Sequence, residues 1–173
     1  MVAKRRILLT TSRNPTPRIR SFCNDLAQAI PRLVRVNRGK LSVDGVAEKA
    51  LECGADRVVI VDRGQGGPSR IEFFRVGASG LVSVPPVFDV AGIRLRREFR
   101  HAGLKPTRSL AITILSKEDE ETIKVSNALS SFFNIPAFLA NEKPSKYKRR
   151  CSFLAMPHTE FKLLLQTLFK TFK

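Results

Sequence analysis

The sequence predicts an α/β fold of two structurally related halves, each a strand–helix–strand unit with a mixed sheet. Short apolar segments alternate with segments of helical periodicity in the first half, and a similar order returns in the second. With 43% hydrophobic residues among 173, the chain can bury a core. We expect one domain over residues 1–173, with halves at about 1–90 and 109–173 joined by a basic connector at 91–108.

The first half has a β-α-β-α-β pattern. RRILLTTS is the first strand, Thr16 caps the next helix, and Pro17 takes its first position. The buried face of that helix is predicted by apolar residues at helical spacing: Ile19, Phe22, Cys23, Leu26 and Ile30. The strand LVRVN, the helix VDGVAEKALECG and the strand RVVIVD follow, and the continuous apolar run of RVVIVD is typical of a buried parallel strand.

Three short antiparallel strands are predicted next, at RIEFFRV, GLVSV and VFDV. Pro85 and Pro86 separate the last two, and because proline has no N–H to donate, the pair indicates a sheet edge or a break. Residues 91–108 show no clean period, which is why they are interpreted as the connector.

The second half repeats the opening pattern. LAITILS is a strand, and KEDEETIKVSNALSSFFNIP is a helix with Val125, Ala128, Leu129 and Phe132 on one face. Ser12, Pro31 and Asn37 recur at nearly equal spacing as the following residues: Ser116, Pro136 and Asn141. This spacing predicts a duplication, although two α/β units can also resemble each other by chance. A strand at CSFLAM and a C-terminal amphipathic helix complete the prediction.

The strongest compositional signal is positive charge. The formal net charge is +16 and the sequence pI is near 10.8, a balance typical of nucleic-acid binders. The basic residues concentrate in residues 1–43, 94–108 and 142–150, so the surface should carry basic stripes that a polyanion would neutralise. The alternative interpretation is general solubility or the Lys/Arg enrichment of heat-adapted proteins.

The first helix has an unusual start. Helix N-termini favour acidic residues, and the second predicted helix has four of them at 118–121, but the first helix carries Arg18 and Arg20 with Arg13 just before it. Such a start attracts phosphate through free N–H groups and forked arginine donors. We therefore predict a nucleic-acid backbone site there, and the basic residues close by in sequence are added to it: Lys4, Arg5 and Arg6. The alternative is a solvated basic loop without a fixed partner.

Two further segments are candidates for RNA contact. RGQGGPS lacks the Gly-Lys-Ser/Thr ending of a phosphate loop and is interpreted as a turn, but Arg63 and Arg70 flank it. KPSKYKRR combines cations with the only tyrosine and suits phosphate contact and the stacking of one base. The RNA-binding residues predicted in this segment are Lys143, Lys146, Tyr147, Lys148, Arg149 and Arg150.

No catalytic residues, cofactor site or metal site is predicted, and neither is a small-molecule substrate. The three cysteines form no C-x-x-C motif and are expected to be reduced. The N-terminus has only a short apolar run, and no segment approaches the ~20 apolar residues of a membrane span. We expect a cytoplasmic protein without a membrane partner.

The segment ILLTTSRNPTPRIRSFCNDLAQAIP resembles the opening of Brix-domain proteins, in which a strand runs into a Thr-Ser-Arg-x-Pro-type loop and a helix. The resemblance extends through RVVIVDRGQGGPSRIEFFRVG to FLANEKPSKYKRRCSFL. It implies an archaeal ribosome biogenesis factor that binds rRNA or pre-rRNA together with other assembly proteins, in small- or large-subunit maturation. It also implies two α/β halves similar to the anticodon-binding domain of class IIa aminoacyl-tRNA synthetases.

The expected function is therefore non-catalytic rRNA binding during ribosome assembly and rRNA processing. Two alternatives stay open at this point. One is an RNA-processing enzyme whose active site carries no familiar motif, and the other is a general DNA- or chromatin-binding basic protein. The sequence lacks a helix-turn-helix or ribbon signature, but charge alone does not separate RNA from DNA.

Overall fold

The structure is a computed structural model and describes residues 6–65, 67–98, 110–114 and 120–139. The chain divides into two compact units, Met1–Gly103 and Leu104–Lys173. The strands are β1 (Arg6–Thr11), β2 (Leu33–Arg35), β3 (Ala55–Arg63), β4 (Pro68–Gly77), β5 (Gly80–Asp89), β6 (Ile112–Ile114) and β7 (Ala137–Leu139). The helices are α1 (Pro17–Ala29), α2 (Val43–Glu52) and α3 (Glu120–Phe133), with a short 3-10 turn at Arg96–Glu98.

The first unit is built on a mixed five-stranded sheet in the order β2-β1-β3-β4-β5. β1 pairs in parallel with both β2 and β3, and Leu8 stands opposite Val34 on one side and Val58 on the other. β4 and β5 extend the sheet in antiparallel pairing. The α/β class is confirmed, and the predicted β-α-β-α-β order of the first half is the observed one.

Helix α1 forms as the sequence predicts. Thr16 caps it, and its hydroxyl oxygen accepts a hydrogen bond from the backbone N–H of Ile19 at 3.3 Å. Proline at the first position does not interrupt the helix, because that N–H would lack an intrahelical partner in any case. The predicted apolar face is buried, including Cys23, whose side chain is inaccessible to solvent. The helix ends at Ala29, before Pro31.

Helix α2 covers the other face of the sheet. The Ser42 hydroxyl oxygen accepts a hydrogen bond from the backbone N–H of Gly45 at 3.0 Å and begins the helix. Gly54 follows its end with a φ of +67°, a conformation that strongly favours glycine. The core on this side is formed by Leu8, Val46, Ala50, Ala55, Val58 and Ile60. Each helix therefore covers one face of the same parallel strands.

Pro85 and Pro86 lie within one strand, where the sequence pattern predicts two. GLVSV and VFDV were predicted as separate strands, but β5 runs without interruption from Gly80 to Asp89, with a cis peptide bond between Pro85 and Pro86. β5 pairs only with β4 in the described sheet, so the edge position is confirmed. A proline is tolerated there because the outer side of an edge strand requires no N–H donor. The pairing register shifts between Ile71 and Phe73 of β4.

Residues 91–98, the first part of the predicted connector, lie against α1 as a strap. We refer to them as the α1 strap. Leu95 is 1% exposed. The guanidinium of Arg18 donates to both carboxylate oxygens of Glu98, at 2.7 and 3.2 Å, and to the carbonyl of Ile93 at 2.9 Å. The backbone N–H of Arg96 donates to the carboxylate of Asp25 at 2.9 Å. The rest of the connector lies outside the described residues.

The second unit contains a strand–helix–strand arrangement. β6 and β7 pair in parallel, with Ile112 opposite Ala137, and α3 lies between them in sequence. Leu129 and Phe132 are buried as predicted, whereas Val125 and Ala128 are only partly buried, because the buried face also includes Thr122 and Ser126. The duplication stays a prediction, and Ser116, the CSFLAM strand and the C-terminal helix lie outside the described residues.

We predict that Cys23 resists alkylation in the folded protein. Burial raises the pKa of its thiol to about 12, and the nearby positive charge of Arg35 only partly opposes this. Because the thiolate is the nucleophile, Cys23 should react with iodoacetamide at pH 8 on the order of 100-fold more slowly than the partly exposed Cys53. Site-resolved mass spectrometry measures both rates in one sample. Equal rates in the native protein would contradict the buried position of Cys23, and denaturant should equalise them.

We also predict that Glu98 keeps the α1 strap bound to helix α1. The backbone N–H of Leu95 and the guanidinium of Arg18 lower the pKa of the Glu98 carboxyl, so this contact is present above the ordinary range of a glutamate and is lost as the pH falls through the lowered value. Glu98→Ala should speed hydrogen exchange of the Leu95 and Glu98 amides by about threefold or more at neutral pH. Glu52→Gln, at an exposed pair with Lys49, is the control. Unchanged exchange in Glu98→Ala would show that the buried Leu95 and the Arg96–Asp25 hydrogen bond anchor the strap without Glu98.

Candidate nucleic-acid interface

Several basic residues of the first unit lie near the carboxyl ends of β1 and β3. These strands are parallel neighbours, so the chain leaves both of them at the same edge of the sheet. Three segments meet there: residues 12–16, the first turn of α1, and residues 64, 65 and 67 between β3 and β4. We refer to them together with Arg63 as the loop surface. In open α/β sheets this edge is where ligands most often bind.

Hydrogen bonds join the two loops of this surface. The backbone N–H of Ser12 donates to the carbonyl of Val61 at 3.0 Å, and the Ser12 hydroxyl oxygen accepts from the backbone N–H of Arg63 at 2.9 Å. The Arg63 guanidinium donates to the carbonyl of Asn14 at 3.2 Å. Asn14 has a φ of +55°, which asparagine tolerates better than most residues. Arg63 therefore combines an exposed charge with a structural contact.

Arg13 and Arg20 are the most available cations of the loop surface. Both side chains are exposed, Arg13 in the loop and Arg20 in the first turns of α1. The first turn of α1 contains no acidic residue of its own, and the carboxylate of Glu98 beside it is bound by Arg18. Positive charge from two side chains and from the helix therefore faces solvent in one region.

Arg18 has a different environment from its two neighbours. Its guanidinium is engaged by Glu98 and the Ile93 carbonyl, while a Cβ added at Gly67 would lie 3.9 Å from its Cδ. The side chain thus passes beside the β3–β4 loop and fastens the α1 strap. Of the three arginines at the helix start, Arg18 has an intramolecular role in this structure, and its predicted RNA contact stays a prediction.

Arg38 belongs to this region and was missed in the sequence. Its side chain is 9% exposed and donates to the carbonyl of Leu41 at 3.1 Å and, at 3.5 Å, to that of Thr11. Burial and the charge of Arg13 lower the pKa of Arg38, and the carboxylate of Asp62 opposes them. A lone arginine in a polar loop gives no signal of burial. The charge of Arg38 adds to the positive field at the carboxyl end of β1.

Acidic residues accompany Arg70 in the antiparallel part of the sheet. Arg70 donates to Asp89 at 3.2 Å, with side chains 50% and 83% exposed. Glu72 lies nearby on β4, and burial, the negative charge of Asp62 and a hydrogen bond that the protonated Glu72 donates to Asp62 raise the pKa of the Glu72 carboxyl. Arg70 is thus partly neutralised, and its environment is less positive than that of Arg13 and Arg20.

The remaining predicted residues are not brought to the loop surface by the described structure. Arg6 begins β1 opposite Ala55, so the strand separates it from the loop surface by about 16 Å. The structure therefore corrects the grouping of Arg6 with Arg13, which closeness in sequence suggested. The other predicted contacts lie outside the described residues: Lys4, Arg5, Lys143, Lys146, Tyr147, Lys148, Arg149 and Arg150.

The residues that the structure describes contain no group of three or more His, Cys, Asp or Glu side chains placed to bind a metal ion. Within the same ranges, no helix combines the length and apolar character needed to cross a membrane.

The chain is similar in sequence to proteins that share one name. No family model matches the chain. A protein of Aeropyrum pernix named "Probable Brix domain-containing ribosomal biogenesis protein" is 41% identical over 92 residues, which are 53% of this chain and 51% of that protein. A protein of the same name from Methanopyrus kandleri is 30% identical over 131 residues, 73% of this chain and 66% of that protein. The chain thus spans about half the length of the Aeropyrum relative.

Two solved structures share the fold. An archaeal Imp4-like protein superposes with a TM-score of 0.52 at 23% identity, with 87% of this chain and 80% of that chain covered. The crystal structure of a probable ribosomal biogenesis protein from Aeropyrum pernix superposes with a TM-score of 0.69 at 31% identity, and the match covers 86% of this chain and 79% of that chain. Sequence and fold therefore agree over most of the chain, which belongs to the family of Brix domain-containing ribosomal biogenesis proteins.

Proposed function

We propose that the chain is a non-catalytic rRNA-binding factor that acts in the cytoplasm in ribosome assembly and rRNA processing. The observation that carries this proposal is the loop surface, where exposed Arg13 and Arg20 accompany a helix N-terminus without acidic residues. The bound group would be the phosphate backbone of rRNA or pre-rRNA. Other assembly proteins are the expected neighbours of the complex.

The electrostatics of the loop surface support phosphate as the ligand. An arginine near a helix N-terminus costs about 0.3–1 kcal/mol at low salt, because both charges are positive. A phosphate placed between them reverses the sign of this interaction and accepts hydrogen bonds from the forked guanidinium. The net charge of +16 adds a long-range attraction for any polyanion. Binding through phosphates fixes position but does not read sequence.

The names of the relatives support the biological setting. The proteins that the chain matches in Aeropyrum pernix and Methanopyrus kandleri are both named for ribosomal biogenesis. Because the chain spans only about half of the Aeropyrum protein, its own role in assembly is part of the proposal. The basic segment at residues 143–150 is proposed as a second RNA contact.

We predict that Arg13→Gln/Arg20→Gln weakens RNA binding in a salt-dependent way. Fluorescence anisotropy with a labelled small-subunit rRNA precursor fragment gives the affinity between about 50 and 300 mM salt. Each lost phosphate contact should reduce the slope of log affinity against log salt by about 0.9, so the double variant should reduce it by about 2. At the lowest salt the affinity should fall by about tenfold per arginine.

The matched control is Arg6→Gln/Arg75→Gln. It removes the same charge from two exposed residues at the opposite end of the sheet, where Arg75 pairs with Arg57 near the start of β3. Thermal unfolding checks that both variants fold. If the two double variants lost RNA affinity equally, binding would depend on the net charge of the protein and not on the loop surface. Equal affinity for a duplex DNA of the same length would favour a general nucleic-acid binder, and RNA cleavage during the assay would favour a processing enzyme.

A further inference from the structure

Arg35, at the end of the edge strand β2, is held by side-chain amide oxygens and not by a carboxylate. Arg18 and Arg70 donate to carboxylates, and Arg38 is buried near Asp62. Arg35 instead donates from Nη1 to the amide oxygen of Asn24 at 2.6 Å and from Nη2 to that of Asn37 at 2.8 Å. No carboxylate among the described residues forms an ion pair with it.

Neutral acceptors have a specific physical consequence. Fixing an arginine side chain costs up to about 2 kcal/mol of conformational entropy, and two short hydrogen bonds offset this cost in the free protein. Amide oxygens orient the guanidinium without cancelling its charge, whereas a carboxylate would neutralise it. Arg35 is therefore a positioned cation with unneutralised charge, and several of its N–H groups remain available for an external acceptor.

The position of Arg35 connects it to the loop surface. It stands opposite Leu9 of β1, near the carboxyl end of the parallel strands, and its side chain reaches α1 at Asn24. Arg20 precedes Asn24 by four residues, so the two lie on the same face of the helix, about 5–6 Å apart at Cβ. Arg20, Asn24, Arg35 and Asn37 thus form a continuous polar strip, which we call the β2-edge strip.

The strip has few competing negative charges. Residues 1–43 contain a single acidic residue, Asp25, and its carboxylate already accepts a hydrogen bond from the backbone N–H of Arg96 at 2.9 Å. The exposed members of the strip are Arg20, Asn24 and Asn37. A cation fixed beside exposed amides and a second exposed cation is suited to a phosphate and its neighbouring hydroxyl groups.

We propose that the β2-edge strip is a phosphate-contact site for RNA, with Arg35 as the binding residue and Asn24 and Asn37 as positioning residues. The inference rests on the proposed RNA binding of the loop surface. It adds the direction in which the bound RNA strand continues from the loop surface. An RNA strand bound at Arg13 and Arg20 would extend along α1 to the β2 edge.

The test uses the same anisotropy assay with the full chain. Arg35→Gln should lower RNA affinity by about tenfold at low salt and reduce the salt slope by about 1. Asn24→Ala/Asn37→Ala leaves the charge intact, so its slope should stay unchanged while affinity falls by about threefold, since Arg35 must then be ordered on binding. Arg75→Gln, an exposed arginine on β4, is the control for a single lost charge.

If Arg35→Gln does not fold, chemical modification of the wild-type protein tests the same proposal. Arginine modification by phenylglyoxal, read by mass spectrometry with and without the rRNA fragment, should show protection of Arg35 as well as Arg13, and none of Arg75. The proposal for the β2-edge strip would be overturned if RNA protected Arg13 but not Arg35 from phenylglyoxal, or if Arg35→Gln and Arg75→Gln lowered RNA affinity equally. Either result would leave the proposed function intact. Wild-type protein without preference for RNA would overturn the proposed function itself.

Discussion

The pairing of β1 with a parallel strand on each side is the constraint on which the first unit depends. Ile7, Leu8 and Leu9 are each at most 1% exposed, which requires helices on both faces of the strand. Parallel pairing also directs the chain out of β1 and β3 at one edge, so the loop at residues 12–16, the start of α1 and the β3–β4 loop become neighbours. The packing requirement of an apolar strand therefore places the basic loops together.

The arginines at the start of α1 divide into two roles. Arg18 offsets its unfavourable position near the helix N-terminus by a bidentate contact with Glu98, a residue 80 positions later in the chain. Arg13 and Arg20 are exposed and have no comparable contact among the described residues. The basic start of α1 thus has two roles on neighbouring residues of one turn. Arg18 binds the α1 strap, and Arg20 contributes an exposed positive charge.

Charge compensation distinguishes the surfaces of the first unit more sharply than charge itself. Near β4 and β5, arginine is accompanied by carboxylates, as in Arg70 with Asp89. Along α1 and β2 the partner of Arg35 is an amide oxygen, and the charge persists. Since polyanion binding follows unneutralised charge, the α1 and β2 side attracts a polyanion more strongly than the side of Arg70 and Asp89.

The sequence by itself determined the α/β class, the capped and proline-started α1, its buried face and the buried strand β3, because local periodicity and capping chemistry act over a few residues. It also marked the loop after β1 as basic. Only the tertiary structure joined GLVSV to VFDV in β5, buried Arg38, separated Arg6 from Arg13, and paired Arg18 with Glu98 and Arg35 with Asn24. These features depend on packing between different elements of the fold, which no local pattern encodes. The identity of a charged residue also does not reveal whether a carboxylate, an amide or solvent surrounds its side chain.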